Sequence, residues 1–176
     1  AAPKFGQVGA GAKEKKTMNN IDKILTVANN FYNQTLSEEG KGRFPGQEKY
    51  NVAVGGYEDE PTLLSIIGNE AGDNAFNSYD HAEGGNWRSI FGVAADGASL
   101  SDESNVINDI GTAGHEEFMP QFANNAIKSP FQDGHYIYIV LPGGVDYVDP
   151  DGDGTYVKIQ CNECSPILYV ADNENP

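Results

Sequence analysis

Basic residues are scarce in this sequence, which argues against nucleic acid as a partner. Lysine and arginine number 11 against 26 aspartates and glutamates, giving a formal net charge of -15. Binding a phosphate backbone requires clustered cations. Beyond the opening segment the basic residues are scattered: Lys41, Arg43, Lys49, Arg88, Lys128 and Lys158. We expect no nucleic-acid partner, because an acidic surface instead suits solubility, cations or a basic protein.

Cysteine is also scarce, with Cys161 and Cys164 as the only two, in the order Cys-Asn-Glu-Cys. A zinc site would need two further ligands, and the three histidines stand at no ligand-like spacing. A thioredoxin-type pair usually opens a helix after a strand, whereas this pair precedes Pro166. Zinc and redox chemistry are therefore the weaker interpretations. We predict a short structural disulfide, which implies an oxidising compartment.

Long apolar runs and catalytic motifs are missing as well. No stretch of 18 apolar residues is present, so we expect any membrane anchor to lie upstream of Ala1. There is no nucleophile elbow, phosphate-binding loop or HExxH motif. The clusters His81-Ala82-Glu83 and His115-Glu116-Glu117 have no partner at a fixed spacing, and we interpret them as surface residues. The sequence does not predict an enzyme.

The sequence does contain a long amphipathic stretch near its start. Apolar side chains recur at intervals of three and four, as on one helix face, at Met18, Ile21, Ile24, Leu25, Ala28, Phe31 and Tyr32. We predict a helix from about Gln7 to Leu36, roughly 45 Å long at about 1.5 Å per residue. The residues before it begin abruptly, as if they ended an apolar segment that continues upstream.

The rest of the chain divides into an irregular middle and a strand-rich end, within one domain of 176 residues. After the spine helix (1–36), we interpret 37–132 as a variable loop region. It includes an extended segment at 49–55, helical turns at 61–70 and 99–110, and a loop at 68–85. A short helix is predicted to begin at Pro120. The segment 133–176 is predicted to form the sheet.

Three strands are predicted in that last segment, at 135–142, 155–161 and 166–171. Short links between them favour an antiparallel meander of three to four strands. Such a sheet must cover one face, and the apolar stripe of the spine helix matches it. The predicted fold class is therefore α+β, with a long N-terminal helix packed on a C-terminal antiparallel sheet.

This organisation resembles the type IV pilins and the pseudopilins of type II secretion. Ala1-Ala2-Pro3-Lys4-Phe5 looks like the point where the membrane-buried half of the family's helix becomes amphipathic. Tyr32 followed by Gly40-Lys41-Gly42-Arg43-Phe44-Pro45 is similar to the family's helix exit. The similarity covers residues 1–47 by motif and about 133–170 by architecture. Two features depart from the family: the disulfide-bounded loop is very short, and the processing-site motif is absent.

The resemblance implies a structural filament subunit without catalytic residues, in an extracellular bacterial pilus or pseudopilus. The subunit would be anchored in the inner membrane by an upstream segment and would then polymerise, alone or with other pilins, through its N-terminal helix. Residues expected in subunit packing are Lys15, Lys16, Met18 and Ile21. Adhesion, motility and secretion are not separable from these residues. The alternative is a secreted cation- or carbohydrate-binding module that uses the loops rich in Asp, Asn and Gly.

One segment has the spacing of a calcium loop. Asp149, Asp151 and Asp153 alternate, Gly154 follows, and Thr155 could add its carbonyl oxygen. No glutamate stands at the last position of such a loop, so the bidentate ligand would have to be Asp146 or Glu163, or be missing. The resemblance also favours calcium here, because pilins and pseudopilins of some lineages carry calcium in C-terminal loops. The alternative is an ordinary turn, because Asp, Gly and Pro are common turn residues.

Overall fold

The computed structural model of the protein describes residues 4–8, 14–63, 88–91, 117–128 and 135–173. They form, in order, strand β1 (Lys4–Val8), helix α1 (Glu14–Glu39), strand β2 (Arg88–Ser89), a 3-10 helix (Met119–Phe122), and strands β3 (His135–Leu141), β4 (Val145–Val148), β5 (Val157–Gln160) and β6 (Ile167–Asn173). An N-terminal helix is thus combined with antiparallel C-terminal strands. This confirms the predicted α+β class.

Helix α1 buries one face, as its apolar spacing predicts. Ile21, Ile24 and Ala28 are fully buried, and Tyr32 is 5% exposed. Each large apolar side chain buried in this way contributes about 1.5–3 kcal/mol. The helix ends at Glu39, and Gly40 then adopts a φ of 84° while its N–H donates to the Leu36 carbonyl. Glycine is the usual residue in this left-handed position after a helix.

The start of the helix differs from the prediction. Residues Lys4–Val8 form strand β1, which pairs in parallel with β6 from Lys4↔Ile167 to Val8↔Ala171. The predicted helical start at Gln7 is therefore wrong, as is the interpretation of Lys4 and Phe5 as part of a continuous helix. Gly6, Gly9 and Gly11 each lower helix propensity by about 1 kcal/mol relative to alanine, and the edge of β6 offers backbone hydrogen bonds to an extended segment.

The main sheet has the strand order β1-β6-β3-β2. Strands β3 and β6 are antiparallel, with a register from His135↔Asn173 to Leu141↔Ile167. Strand β2 pairs with the other edge of β3, where Arg88 lies opposite Tyr138. Strand β3 is thus central, and its side chains from Tyr136 to Leu141 are all buried.

The predicted three-strand meander is wrong, because β5 does not enter the main sheet. Strand β5 pairs with β4 in a separate two-stranded sheet, from Val145↔Gln160 to Val148↔Val157. The short strand β4, which the sequence did not predict, is the neighbour of β5. Strands β3 and β6 therefore pair directly with each other. All four side chains of β5 are exposed. Its alternating pattern therefore does not mark a buried face.

The helix and the sheet share one core, which confirms that the apolar stripe of α1 covers the sheet. Alternate residues of β3 point to the same face of a strand, so Tyr136, Tyr138 and Val140 contact the helix layer together. The core cluster consists of Ile21, Ile24, Ala28, Tyr32, Phe44, Val54, Ile90, Phe91, Phe118, Tyr136, Tyr138, Val140, Leu168 and Val170. The buried amide of Asn20 donates to the Tyr136 hydroxyl at 2.8 Å.

Part of the predicted irregular region contributes to this core. Val54 exchanges two backbone hydrogen bonds of 3.0 Å with Val140, and residues 60–63 form a helical turn. The predicted short helix at Pro120 corresponds to the 3-10 helix, which has proline near its start. The predicted loop at 68–85 and the helical turns at 64–70 and 99–110 lie outside the described residues.

Within the described part of the chain, no helix combines the length and the apolar character needed to cross a membrane.

Candidate functional site

The segment that follows α1 is fixed by contacts centred on Arg43. The Arg43 guanidinium donates to both carboxylate oxygens of Glu117, at 3.2 and 3.0 Å, and also to Glu39 at 3.2 Å. The Gly46 N–H donates to the same Glu117 carboxylate at 2.9 Å. Sequence reasoning placed Glu117 on the surface, because no local pattern links residues 74 positions apart. His115 and Glu116 lie outside the described residues.

The same segment packs tightly on the end of the helix. A Cβ at Gly42 would overlap the Tyr32 ring, and the Tyr32 and Phe44 rings lie 5.2 Å apart. The buried Tyr138 hydroxyl donates to the Pro45 carbonyl at 3.0 Å. The segment that resembles the pilin helix exit therefore has a structural role here, since it fastens the end of α1 to strand β3.

Cys161 and Cys164 form a disulfide, as predicted. The Gly144 N–H donates to the Cys164 carbonyl, and the Cys161 N–H donates to the Gly144 carbonyl, both at 2.9 Å. A Cβ at Gly143 would lie 2.8 Å from the Pro166 nitrogen, so only glycine fits this close approach. The disulfide turn thus joins the β3–β4 link to the β5–β6 link.

The predicted calcium residues lie in the exposed connection between β4 and β5. Both carboxylate oxygens of Asp149 accept backbone N–H groups, from Asp153 at 3.1 Å and from Gly154 at 2.8 Å. The Asp153 carboxylate accepts the Thr155 N–H at 2.9 Å, and this bond is the main cause that lowers the pKa of Asp153. Asp151 is exposed. These hydrogen bonds are the ones expected of a turn stabilised by aspartate side chains.

Across the described residues, no three His, Cys, Asp or Glu side chains come together as a metal-binding group. The calcium interpretation is not supported by this arrangement and stays a prediction.

A cleft of about 520 Å³ lies beside the disulfide turn, between residues 58–61 and the β4–β5 hairpin. Its apolar lining includes Pro61, Leu141, Pro142, Val145 and Ile167, together with the rings of Tyr147 and Tyr156. Four carboxylates also line it: Glu58, Glu60, Asp146 and Glu163. No lysine or arginine is found among the described residues that line it. The cleft therefore combines apolar surface with a negative rim.

Two tyrosines show the effect of carboxylates in and beside the cleft. Partial burial raises the pKa of Tyr147, and the negative charges of Asp59 and Glu58 raise it further. The Tyr169 hydroxyl donates to Glu60 at 2.7 Å, and the pKa of Tyr169 is raised by burial and by this carboxylate. Both tyrosines thus lie where burial and nearby carboxylates disfavour a further negative charge.

The residues predicted to pack between subunits lie near the start of α1. Ile21 is fully buried in the core of its own chain. Its assignment to a subunit contact is therefore wrong, because its apolar surface is already covered. Met18 is half-buried against the same cluster. Lys16 is exposed and available to a partner, and the side chain of Lys15 lies outside the described residues.

Comparison of the chain with protein-family models, with curated proteins and with solved structures finds no match.

Proposed function

We propose that this protein is a structural subunit of an extracellular filament of the type IV pilus or pseudopilus kind, and that it polymerises through its N-terminal helix. The observation that carries the proposal is the packing of α1. This 26-residue helix lies with one face on an antiparallel sheet. Its exit is fastened at residues 42–45, the segment that resembles the pilin family.

The other face of α1 supplies the proposed assembly surface. Lys16, Asn19 and Lys23 are exposed on it. A contact between this face and a different surface of the next subunit is heterologous, and a heterologous contact whose rotation does not close into a ring extends into a filament without any catalytic residue. Because Lys4–Val8 is a strand, the described part of this helical surface begins at Glu14. The same proposal includes an inner-membrane anchor upstream and a cell-surface location after assembly.

The proposal is tested by reversing charge on the helix in cells that assemble the filament. Lys15→Glu with Lys16→Glu is expected to reduce filament yield severalfold, because like charges would then meet at the contact. Lys41→Glu with Lys49→Glu is the matched control, since it makes the same change in net charge at two exposed residues that follow the other end of α1. Far-UV circular dichroism should show both variants folded. An unchanged yield in the helix variant would contradict the proposal.

A secreted cation- or carbohydrate-binding module is the second candidate function. It is favoured by the exposed carboxylates of the β4–β5 turn and by Tyr156, a 50% exposed aromatic residue beside the cleft. A calcium titration of the wild type and of Asp151→Ala tests the cation. A ligand that binds only the folded state raises the melting temperature. Equal melting temperatures with and without calcium would remove the calcium site, and oligosaccharide calorimetry on Tyr156→Ala tests the carbohydrate.

A further inference from the structure

Charge is distributed very unevenly along the chain. Residues 1–23 contain five lysines against Glu14 and Asp22, a formal charge of +3. The remaining residues contain six basic and 24 acidic side chains, a formal charge of -18. On α1, Lys16 and Lys23 are exposed and stand two helical turns apart, about 10 Å along the axis. Asp22 is also exposed, beside Lys23.

The acidic cleft lies toward the opposite end of the same helix. The Lys41 ammonium, just past the end of α1, donates to the Asn162 carbonyl within the disulfide turn at 3.1 Å. Lys16 stands 24 residues before Gly40, roughly 35 Å away at about 1.5 Å per residue. The lysines near the start of α1 therefore cannot reach the cleft of their own chain, and their binding there requires a second molecule.

Apolar surface of the cleft is exposed among the described residues. Tyr156, which lines the cleft together with Tyr147, is 50% exposed. An exposed apolar surface with a polar rim is typical of interaction sites. A lysine suits such a surface, because its aliphatic stem packs on aromatic rings while its ammonium reaches the carboxylates.

We infer that the cleft docks the exposed Lys16–Lys23 face of α1 from a second copy of this chain. The inference rests on the proposed function and names its subunit contact. The occupant follows from charge complementarity, since the chain carries both the negative cleft and the positive helix face. Because these surfaces stand at opposite ends of α1, the contact is heterologous and joins copies head to tail.

A charge-swap experiment tests the contact in the full 176-residue chain. The cleft variant is Glu58→Lys with Glu163→Lys, and the helix variant is Lys16→Glu with Lys23→Glu. All four residues are exposed, so folding should be preserved, which circular dichroism checks. Self-association is measured by sedimentation equilibrium at low salt, up to about 1 mM chain. A third variant combines all four substitutions.

The cleft variant and the helix variant are each expected to weaken self-association by about tenfold. The combined variant is expected to recover most of that loss. The cleft reversal is the most informative, because it changes the net charge from -15 to -11 and reduces overall repulsion. General repulsion alone would thus make this variant associate more strongly. The uncharged variant Glu58→Gln with Glu163→Gln is expected to weaken association by about threefold.

A monomeric wild-type chain, a cleft reversal that does not weaken association, or a combined variant that does not recover would each overturn the docking site. If the protein is found in filaments but its soluble form fails these tests, the docking site is rejected and the filament proposal stands. If the charge swap succeeds but the protein is not found in filaments, the filament proposal fails and the contact between copies stands.

Discussion

The Arg43 guanidinium lies 3.0 Å from the carboxylate of Glu117, a residue 74 positions later in the chain. The two side chains are 17% and 31% exposed, so water screens them only in part. The same carboxylate accepts the Gly46 N–H. One acidic side chain thus holds both the cation and the backbone of the turn that follows α1.

Replacing Glu117 by alanine should therefore destabilise the fold by about 2 kcal/mol, because it leaves a half-buried guanidinium and a backbone donor without this acceptor. Urea unfolding monitored by circular dichroism measures the change. Glu39→Ala is the matched control: it removes the other carboxylate on Arg43, which is 46% exposed, and should cost about 0.5 kcal/mol or less. Equal losses in the two variants would contradict the role given to Glu117.

Gly42 is expected to tolerate no side chain. A Cβ there would overlap the Tyr32 ring at the end of the helix, so Gly42→Ala should cost about 1–3 kcal/mol through strain. Combining it with Tyr32→Leu should restore part of this loss, since the smaller side chain leaves room for the methyl group. Unfolding free energies of the two single variants and the double variant give the coupling. Strictly additive losses would show that the clash is not the cause.

Tyr138 should make the fold sensitive to alkaline pH. Burial, and then the negative charge of Glu117, raise its pKa well above the ordinary value of about 10. Above pH 10 the unfolded chain releases this proton and the folded chain keeps it. Stability from Tyr138 is therefore complete below about pH 10 and falls by about 1.4 kcal/mol for each further pH unit.

Tyr138→Phe is expected to show a shallower loss between about pH 9 and 11 than the wild type, by the contribution of one tyrosine. The variant should also cost about 1–3 kcal/mol at neutral pH, because the Pro45 carbonyl loses its donor. Urea midpoints across the pH range measure both effects. Parallel curves for the two proteins would contradict the predicted linkage.

The disulfide should stabilise the fold modestly. It closes a loop of only three-residue separation, for which the loss of chain entropy in the unfolded state gives roughly 2 kcal/mol. Dithiothreitol should lower the urea midpoint of the wild type by the corresponding amount. Cys161→Ser with Cys164→Ser should start at that lower midpoint and not respond to the reductant. A response to dithiothreitol in the serine variant would show that the effect is not due to this bond.

The parts of the fold that were predicted are those with local signals. The stripe of α1 repeats every three or four residues, and β3 and β6 are short apolar runs between turn residues. Strand β1 was missed because it depends on the free edge of β6, more than 150 residues later. Strand β4 was missed because its four residues pair only with β5 and carry no strong pattern of their own.

The candidate site likewise has a part that local sequence signals predict and a part that they do not. The cysteine pair was predictable because its partners stand three positions apart. The acidic cleft was not, because its lining comes from residues 58–61, 141–147 and 156–167, which meet only in the folded chain. The burial of Ile21 was underestimated because periodicity identifies an apolar face without showing whether the same chain or a neighbour covers it.

The most direct measurement is the protein composition of filaments sheared from the surface of the cells that make this protein. Mass spectrometry of the sheared fraction, with immunogold labelling of the same filaments, shows whether the chain is a subunit. A filament subunit predicts peptides of this chain in the fraction and gold labelling repeated along each filament. If the chain is absent from the filaments and is recovered only as dispersed protein in the medium, the proposal of a filament subunit is contradicted.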